Sequence, residues 1–248
     1  MDSAVVSTWN SQLIALSYAI AVLGSFVALR AASLMRHADG TISRVNTIAA
    51  GLALGGIGVW AMHFIGMVAL KLNVANGYSL VETLISLVAA VAAASMALVH
   101  VAKDPGDVKR VIVAGTLLGI GVAVMHYLGM YGLRFGGYVT WNYAVVLASV
   151  LIAIFAATAA LWLAFNTHGH GLRVLAALVM GVAVCTMHYT GMAAADYICT
   201  TADRSAFPEG FGVITSTQLP MLVSGVSLGI MVLIFIDQMM QHMTPQGT

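Results

Sequence analysis

Charge is scarce in this chain of 248 residues, where Lys and Arg number 10 and Asp and Glu number 9, together 8% of the sequence. A soluble domain carries about 25% charged residues, whereas 60% of this chain is hydrophobic and its mean hydropathy is +0.96. The composition excludes an ordinary soluble domain and predicts a protein that crosses a membrane several times. The formal net charge of +1 provides no basic surface, so no nucleic-acid partner is expected.

The sequence also lacks the features of a disulfide-rich protein and of a cleaved signal peptide. The two cysteines, Cys185 and Cys199, cannot define a disulfide framework. If the helix between them is unbroken they stand roughly 20 Å apart, too far for a bridge. The N-terminus, "MDSAVVSTWNSQ", has neither a basic region nor an obvious cleavage site before the first apolar run. That run is therefore predicted to be a retained membrane span and not a signal peptide.

Seven segments are apolar over the roughly 20 residues that a membrane span needs. They cover residues 12–34, 45–70, 80–102, 111–133, 143–165, 174–195 and 217–238. Runs of this length without strict alternation favour helices over a barrel. We predict an all-α polytopic fold in a single membrane domain, 1–248, with a core at 9–196 and a seventh helix at 217–238.

The basic residues are unevenly shared between the two sets of connections, seven on the odd-numbered connections against three on the even-numbered ones. Basic residues are enriched on the cytoplasmic side of a membrane, so we expect the N-terminus outside and the C-terminus in the cytoplasm. The seven are Arg30, Arg36, Arg44, Lys103, Lys109, Arg110 and Arg173, and the three are Lys71, Arg134 and Arg204.

A hexapeptide recurs late in the second, fourth and sixth spans, as "MHFIGM" at 62–67, "MHYLGM" at 125–130 and "MHYTGM" at 187–192. Its histidines are 63 and 62 residues apart, which indicates a repeated two-helix unit. The three spans run in the same direction, so the motifs share one depth, near the outer face. We predict three two-helix repeats around a pseudo-threefold axis along the membrane normal, followed by the seventh helix.

Helix geometry divides each motif into two faces, because successive residues turn by about 100°. Met62, His63, Gly66 and Met67 share one face, and Phe64 lies elsewhere. The small glycine allows neighbouring helices to approach the histidine face. An ionisable residue inside a membrane indicates function, although three structural histidines, each bonded across a helix pair, are the alternative.

Imidazole and thioether donors without a carboxylate favour copper, because thioether selects Cu(I) and imidazole suits Cu(II). Zinc more often recruits Cys or a carboxylate beside the histidines. Cys185 has no counterpart in the other two copies and is not predicted as a ligand. The predicted ligands of one or two copper ions are His63, His126, His188, Met62, Met67, Met125, Met130, Met187 and Met192.

The motifs and the helices around them, from 9 to 196, resemble the MHYT domain, a sensor module of bacterial inner membranes. The resemblance implies copper bound through the motif's Met, His and Tyr residues, and sensing of O2, NO or CO. It also implies an output domain in the cytoplasm that makes or degrades cyclic di-GMP. This sequence has Phe64 at the first tyrosine position, and the motif's threonine appears only as Thr190.

Other functions remain open at this stage. A copper carrier or channel needs ligands across the whole bilayer, and Met96 and His100 are the weak support for it in the inner halves. A haem-binding redox protein could use His and Met axial ligands. Glu82 and Asp196 pair with no nucleophile in a recognisable motif, so we do not expect an enzyme. The cytoplasmic stub after the seventh helix is where an output domain would attach.

Overall fold

Long apolar runs form the helices of the protein, here in a computed structural model that describes residues 3–37, 39–166 and 169–243. Seven helices in these ranges are long and apolar enough to cross a membrane, so the all-α membrane fold is confirmed. Their ends lie within a few residues of the predicted ones. They are α1 (Ser11–Ala32), α2 (Arg44–Ala69), α3 (Leu80–Ala102), α4 (Val108–Tyr131), α5 (Tyr143–Asn166), α6 (His170–Ala193) and α7 (Leu219–Met243).

Polar side chains start several helices where the chain enters them. The side chain of Asn10 accepts hydrogen bonds from the backbone N–H groups of Gln12 and Leu13 at the start of α1. Ser43 and Asp107 accept in the same way at the starts of α2 and α4. The first N–H groups of a helix have no partner within it, so these caps fix where each span begins.

The helices α1 to α6 form a closed ring in chain order, with α6 packed back against α1. The motif-bearing helices α2, α4 and α6 alternate around it with α1, α3 and α5. The last helix, α7, packs outside the ring against α2. As a result 89% of an 18-residue apolar stretch of α2 is buried inside the protein, compared with 22% of the corresponding stretches of α5 and α7. The first motif therefore lies on the helix with the most protein around it.

The backbone of α2 changes type on the way to its motif. It is α-helical over Arg44–Gly51, a π-helix over Leu52–Ala61, and α-helical again over Met62–Ala69. The other two motif helices are α-helical throughout. The π-helix is rare and usually short, and it is frequent at functional sites. The three motifs are alike in sequence, but the first is carried by a different backbone.

Eight short strands cover the end of the bundle at which the motifs lie. Within the described residues they form three small antiparallel sheets, in the orders β1-β7-β6, β2-β3 and β5-β4-β8. No strand was predicted in these connections from the sequence. The strands are β1 (Ser3–Ala4), β2 (Ser7–Trp9), β3 (Leu70–Leu72), β4 (Asn76–Ser79), β5 (Leu133–Phe135), β6 (Gly137–Trp141), β7 (Ala195–Cys199) and β8 (Val213–Thr215).

The sheets bury two phenols at this end of the molecule. Tyr78 of β4 is 2% exposed and Tyr197 of β7 is 7% exposed. Burial raises the pKa of both hydroxyls, so both phenols remain neutral at ordinary pH. The cap over the motifs is therefore uncharged at these two positions.

Candidate metal centre

The three motif histidines meet at the centre of the ring. The Nδ1 atom of His63 lies 3.1 Å from Nδ1 of His188 and 3.1 Å from Nδ1 of His126, and the latter two are 3.3 Å apart. All three side chains are fully buried. The predicted convergence of the histidines on one axis is confirmed, and the geometry identifies Nδ1 as the atom each one contributes.

Hydrogen bonds cannot satisfy this triangle of nitrogens. A neutral imidazole nitrogen carries either a hydrogen or a lone pair, so among three nitrogens in mutual contact at least two are of the same kind. One side of the triangle then joins two lone pairs or two N–H groups. A cation that accepts three lone pairs removes this conflict, whereas a purely structural role leaves it in place.

The size of the triangle also suits a metal ion. A point equidistant from the three Nδ1 atoms lies about 1.8 to 1.9 Å from each, the sides of 3.1 and 3.3 Å divided by √3. Metal–imidazole bonds measure about 2.0 Å. The three histidines are close enough to hold an ion, and no thiol or carboxylate of the described residues joins them.

Each imidazole fits against a glycine of the next motif. A Cβ atom added at Gly66, Gly129 or Gly191 would lie 2.3 Å from a histidine Nε2. The buried Nε2 atoms have no hydrogen-bond partner among the described residues. The absence of a side chain at the motif glycine thus leaves the space that the imidazole of another motif fills; in this sense the glycine is a slot for that ring. The pairs are Gly129 with His63, Gly191 with His126, and Gly66 with His188.

The motif methionines are all buried, with 1–3% of each residue exposed. Each motif places one methionine just before its histidine and one four residues after it, so thioethers belong to the layers on both sides of the triangle. Their role as ligands stays a prediction. Met96, which gave weak support to a copper channel, is 67% exposed and faces outward from the bundle.

The residue after each histidine packs edge-on against that histidine's ring. The ring centroids are 4.7 Å apart for His63 and Phe64 and 4.8 Å for His126 and Tyr127. His188 packs in the same way, 4.8 Å from the ring of Tyr189. These aromatic side chains hold the imidazoles in place, and Phe64 does so without a hydroxyl.

The hydroxyl groups of the motif tyrosines, Tyr127 and Tyr189, form hydrogen bonds with serines of the neighbouring helices. The hydroxyl of Tyr127 lies 2.6 Å from Oγ of Ser149 on α5, and that of Tyr189 lies 2.8 Å from Oγ of Ser17 on α1. The resemblance implied that tyrosine is a copper ligand. In the structure both hydroxyls instead join a motif helix to the helix beside it.

On α2 the corresponding contact is made by Trp60, two residues before the first motif. Its Nε1 lies 3.2 Å from Oγ of Ser86 on α3 and also donates to the carbonyl of Thr83. Ser17, Ser86 and Ser149 are fully buried. None of the three was predicted from the sequence, although Ser86 and Ser149 are 63 residues apart, which is the spacing of the first two motif histidines.

Replacing Tyr127 by phenylalanine tests whether the phenol is a tie or a ligand. Oγ of Ser149 already donates to the carbonyl of Val146, so Tyr127 is the donor and no buried hydrogen is orphaned by its loss. We expect the free energy of unfolding to fall by about 1 kcal/mol and the metal content to stay unchanged. Thermal unfolding and elemental analysis measure the two. Tyr143→Phe, at a position 79% exposed, is the control, and lost metal in Tyr127→Phe would contradict the tie.

Comparison with known proteins agrees with the motif analysis. The profile of the MHYT family, described as a bacterial signalling protein N-terminal repeat, matches residues 56–114 and 119–177. The matched segments begin 63 residues apart, like the first two histidines. The third motif, at 187–192, lies outside both segments, so the count of three repeats rests on the hexapeptide.

Several curated bacterial proteins are similar to this chain. The bifunctional diguanylate cyclase/cyclic di-GMP phosphodiesterase MucR of Pseudomonas aeruginosa is 37% identical over 238 residues, which are 92% of this chain and 34% of that protein. The cyclic di-GMP phosphodiesterase NbdA of the same organism is 31% identical over 75% of this chain and 24% of its own length. The signaling protein YkoW of Bacillus subtilis is 29% identical over 77% and 24%.

The chain spans about a third or less of the length of these relatives. No solved structure matches it significantly. The matched repeats, the seven spans and the buried histidine triangle agree with one another, and the chain belongs to the MHYT family of bacterial membrane signalling repeats.

Proposed function

We propose that this chain is a membrane-embedded sensor domain that holds copper between His63, His126 and His188 and signals to a cytoplasmic output domain. The observation that carries the proposal is the buried Nδ1 triangle with sides of 3.1, 3.1 and 3.3 Å. Hydrogen bonds cannot pair all three nitrogens of the triangle, and the size of the triangle suits a metal ion. The signal is a diatomic gas, O2, NO or CO, or the redox state of the surroundings.

Copper fits the donor set better than zinc does. Three nitrogens without a thiol or carboxylate do not match structural zinc, which is almost always bound by four ligands, although catalytic zinc can be held by three histidines. The thioethers of the adjacent layers are soft donors, which favour Cu(I). When bound, copper would supply a one-electron redox couple and a position for a small ligand. One ion at the triangle is the simplest occupancy, and the methionine layers are where a second ion would find donors.

The histidines tie three helices together, and α2 is the one that reaches α7. The Cδ1 atom of Ile230 on α7 lies 2.9 Å from the position a Cβ of Gly56 would take on α2. At the opposite end of the bundle Nε2 of Gln241 lies 3.3 Å from Oδ1 of Asn46. A small displacement of α2 would therefore reach α7. A signal must favour one of two states by binding it better, since equal binding moves nothing.

The relatives support a cyclic di-GMP output. MucR and NbdA carry that second messenger in their names, and this chain covers 34% and 24% of them, which leaves most of each protein for other domains. We propose that the present chain is likewise the sensing part and that any catalysis belongs to a partner domain, in the same chain or another.

Neither alternative function gains support from the geometry. Imidazole nitrogens 3.1 Å apart leave no room for a porphyrin between any two of them. A channel would need donors along the axis, and in the described part of the chain the three-ligand cluster is the one formed by the motif histidines.

Elemental analysis of the purified chain, combined with a functional assay, tests the proposal. The chain is fused to a cyclic di-GMP-forming output domain, and the response to NO, CO and O2 is measured with and without copper. We expect about one copper per chain and a response that requires it. If a variant with His63, His126 and His188 all replaced by alanine responds like the parent, the copper-sensor proposal is wrong.

The orientation of the chain is a separate proposal, based on the seven basic residues of the odd-numbered connections. We expect the N-terminus outside and the C-terminus in the cytoplasm, with the motifs near the outer face of the bacterial inner membrane. A reporter fused after Thr248, which lies outside the described residues, should be active only as a cytoplasmic fusion. Periplasmic activity there would overturn the depth assigned to the motifs.

A further inference from the structure

A small cavity lies inside the ring, between α2, α4, α5 and α6. Its volume is about 30 Å³, and its twelve lining residues are all alanine, valine, leucine or methionine. An apolar cavity stays free of water and binds apolar guests such as xenon. A space of this size suits a guest of one or two atoms.

The cavity begins one helical turn from the histidine triangle. Val59, Val122 and Val184 line it, and each stands four residues before a motif histidine. Residues four apart lie on the same face of a helix. Met187, next to His188 in the chain, lines the cavity as well. The position of the cavity therefore places a guest beside the candidate metal centre, on the side away from the sheets.

The wall of the cavity reaches the lipid-facing surface between α5 and α6. Ala153 and Ala157 on α5 are buried. Ala156 and Ala160 on α5 and Ala183 on α6 line the same cavity and are only half-buried. Only small side chains therefore separate the cavity from the hydrocarbon of a bilayer at this seam.

The opposite side of the triangle is closed. The second methionines of the motifs, Met67, Met130 and Met192, are 2–3% exposed, and the sheets lie beyond them. Uncharged diatomic gases are apolar and favour hydrocarbon over water, for the same reason that apolar side chains are buried. The lipid side is thus the more open route for such a molecule to the histidines.

We propose that this cavity is a binding site for a small uncharged gas molecule, which enters it from the bilayer between α5 and α6. The biological identity of the guest rests on the proposed sensor function. The capacity of the cavity for an apolar gas does not, because eleven of its twelve lining residues are not predicted metal ligands, Met187 being the exception.

Xenon binding to the metal-free full chain in lipid nanodiscs tests the site, with ¹²⁹Xe NMR as the measurement. The parent should show saturable binding at one site. Ala160→Leu adds bulk to the half-buried rim, and we expect xenon to bind at least ~10-fold more weakly because the added carbons fill the space. Ala159→Leu, at the exposed position next to it, is the matched control and should bind like the parent.

Ala156→Leu is the second variant and should weaken binding in the same way, which guards against a folding defect in the first. Absence of saturable xenon binding in the parent, as when an acyl chain fills the cavity, overturns the proposal. Equal binding in the parent and both rim variants, or an equal loss in Ala159→Leu, does so too. Copper binding measured on separate, copper-loaded samples of the same variants keeps the two proposals distinguishable, because xenon binding to the metal-free chain does not depend on it.

Discussion

Replacing any one of His63, His126 and His188 by alanine is expected to remove metal binding almost as completely as replacing all three. Each Nδ1 contacts both of the others, so the loss of one leaves two donors and an open side in a buried site. Altering a partner outside the coordination sphere typically costs 10- to 100-fold in metal affinity, and loss of a ligand itself should cost at least ~100-fold.

Copper titration and elemental analysis of the three single variants measure this effect. His100→Ala is the control, since His100 lies near the end of α3 away from the motifs and is not part of the histidine cluster. A single variant that retains one copper per chain with the parent's affinity would show that its histidine is structural. The same experiment in Met67→Leu asks separately whether the thioethers matter for Cu(I).

Gly129→Ala is expected to damage the site without touching a ligand. The new Cβ would lie 2.3 Å from Nε2 of His63 and 3.0 Å from its Cδ2. The imidazole is fully buried and packed edge-on against Phe64 and His126, so it cannot swing aside freely. Overpacking of this kind typically costs about 1–3 kcal/mol, and we expect that loss of stability together with a clear fall in copper affinity.

Gly229→Ala is the matched control, because Gly229 is also in a membrane-spanning helix but nothing lies within 4 Å of a Cβ at that position. Thermal unfolding and copper titration of both variants give the comparison. We expect Gly229→Ala to bind copper like the parent. If Gly129→Ala matches it in both measurements, the motif glycine is not a slot for the histidine.

The spans and the meeting of the histidines follow from the sequence for physical reasons. Lipid allows few backbone structures, so a long apolar run predicts a helix. Three equal motifs at equal depth in parallel helices have few arrangements other than one around an axis. Prediction fails where the answer depends on side-chain torsions or on small differences in backbone energy. The choice of Nδ1 over Nε2 depends on the rotamer of each ring.

The π-helix over Leu52–Ala61 could not be predicted either, because the α-helical α4 contains a stretch, 115–124, that is similarly apolar and glycine-rich. The eight strands have two to five residues each, too short for an alternating pattern to appear. Gly66, Gly129 and Gly191 were predicted to admit a neighbouring helix and are found to admit a neighbouring imidazole. The sequence shows that space is present beside these glycines, and the structure shows that an imidazole fills it.

The sheets give the bundle the mechanics of a frame that is clamped at one end. Each of the seven helices begins or ends at a strand there, from β2 before α1 to β8 before α7. At the other end an isolated bridge between Arg36 and Ile42 joins the described residues of the first connection. In α4 the histidine stands five residues from the clamped end and eighteen from the free one. At 1.5 Å per residue, a tilt about the clamped end displaces the free end, 23 residues away, nearly fivefold more than it displaces the histidine layer. A movement too small to disturb the packing of three imidazoles would thus become a larger displacement at the opposite end of the bundle.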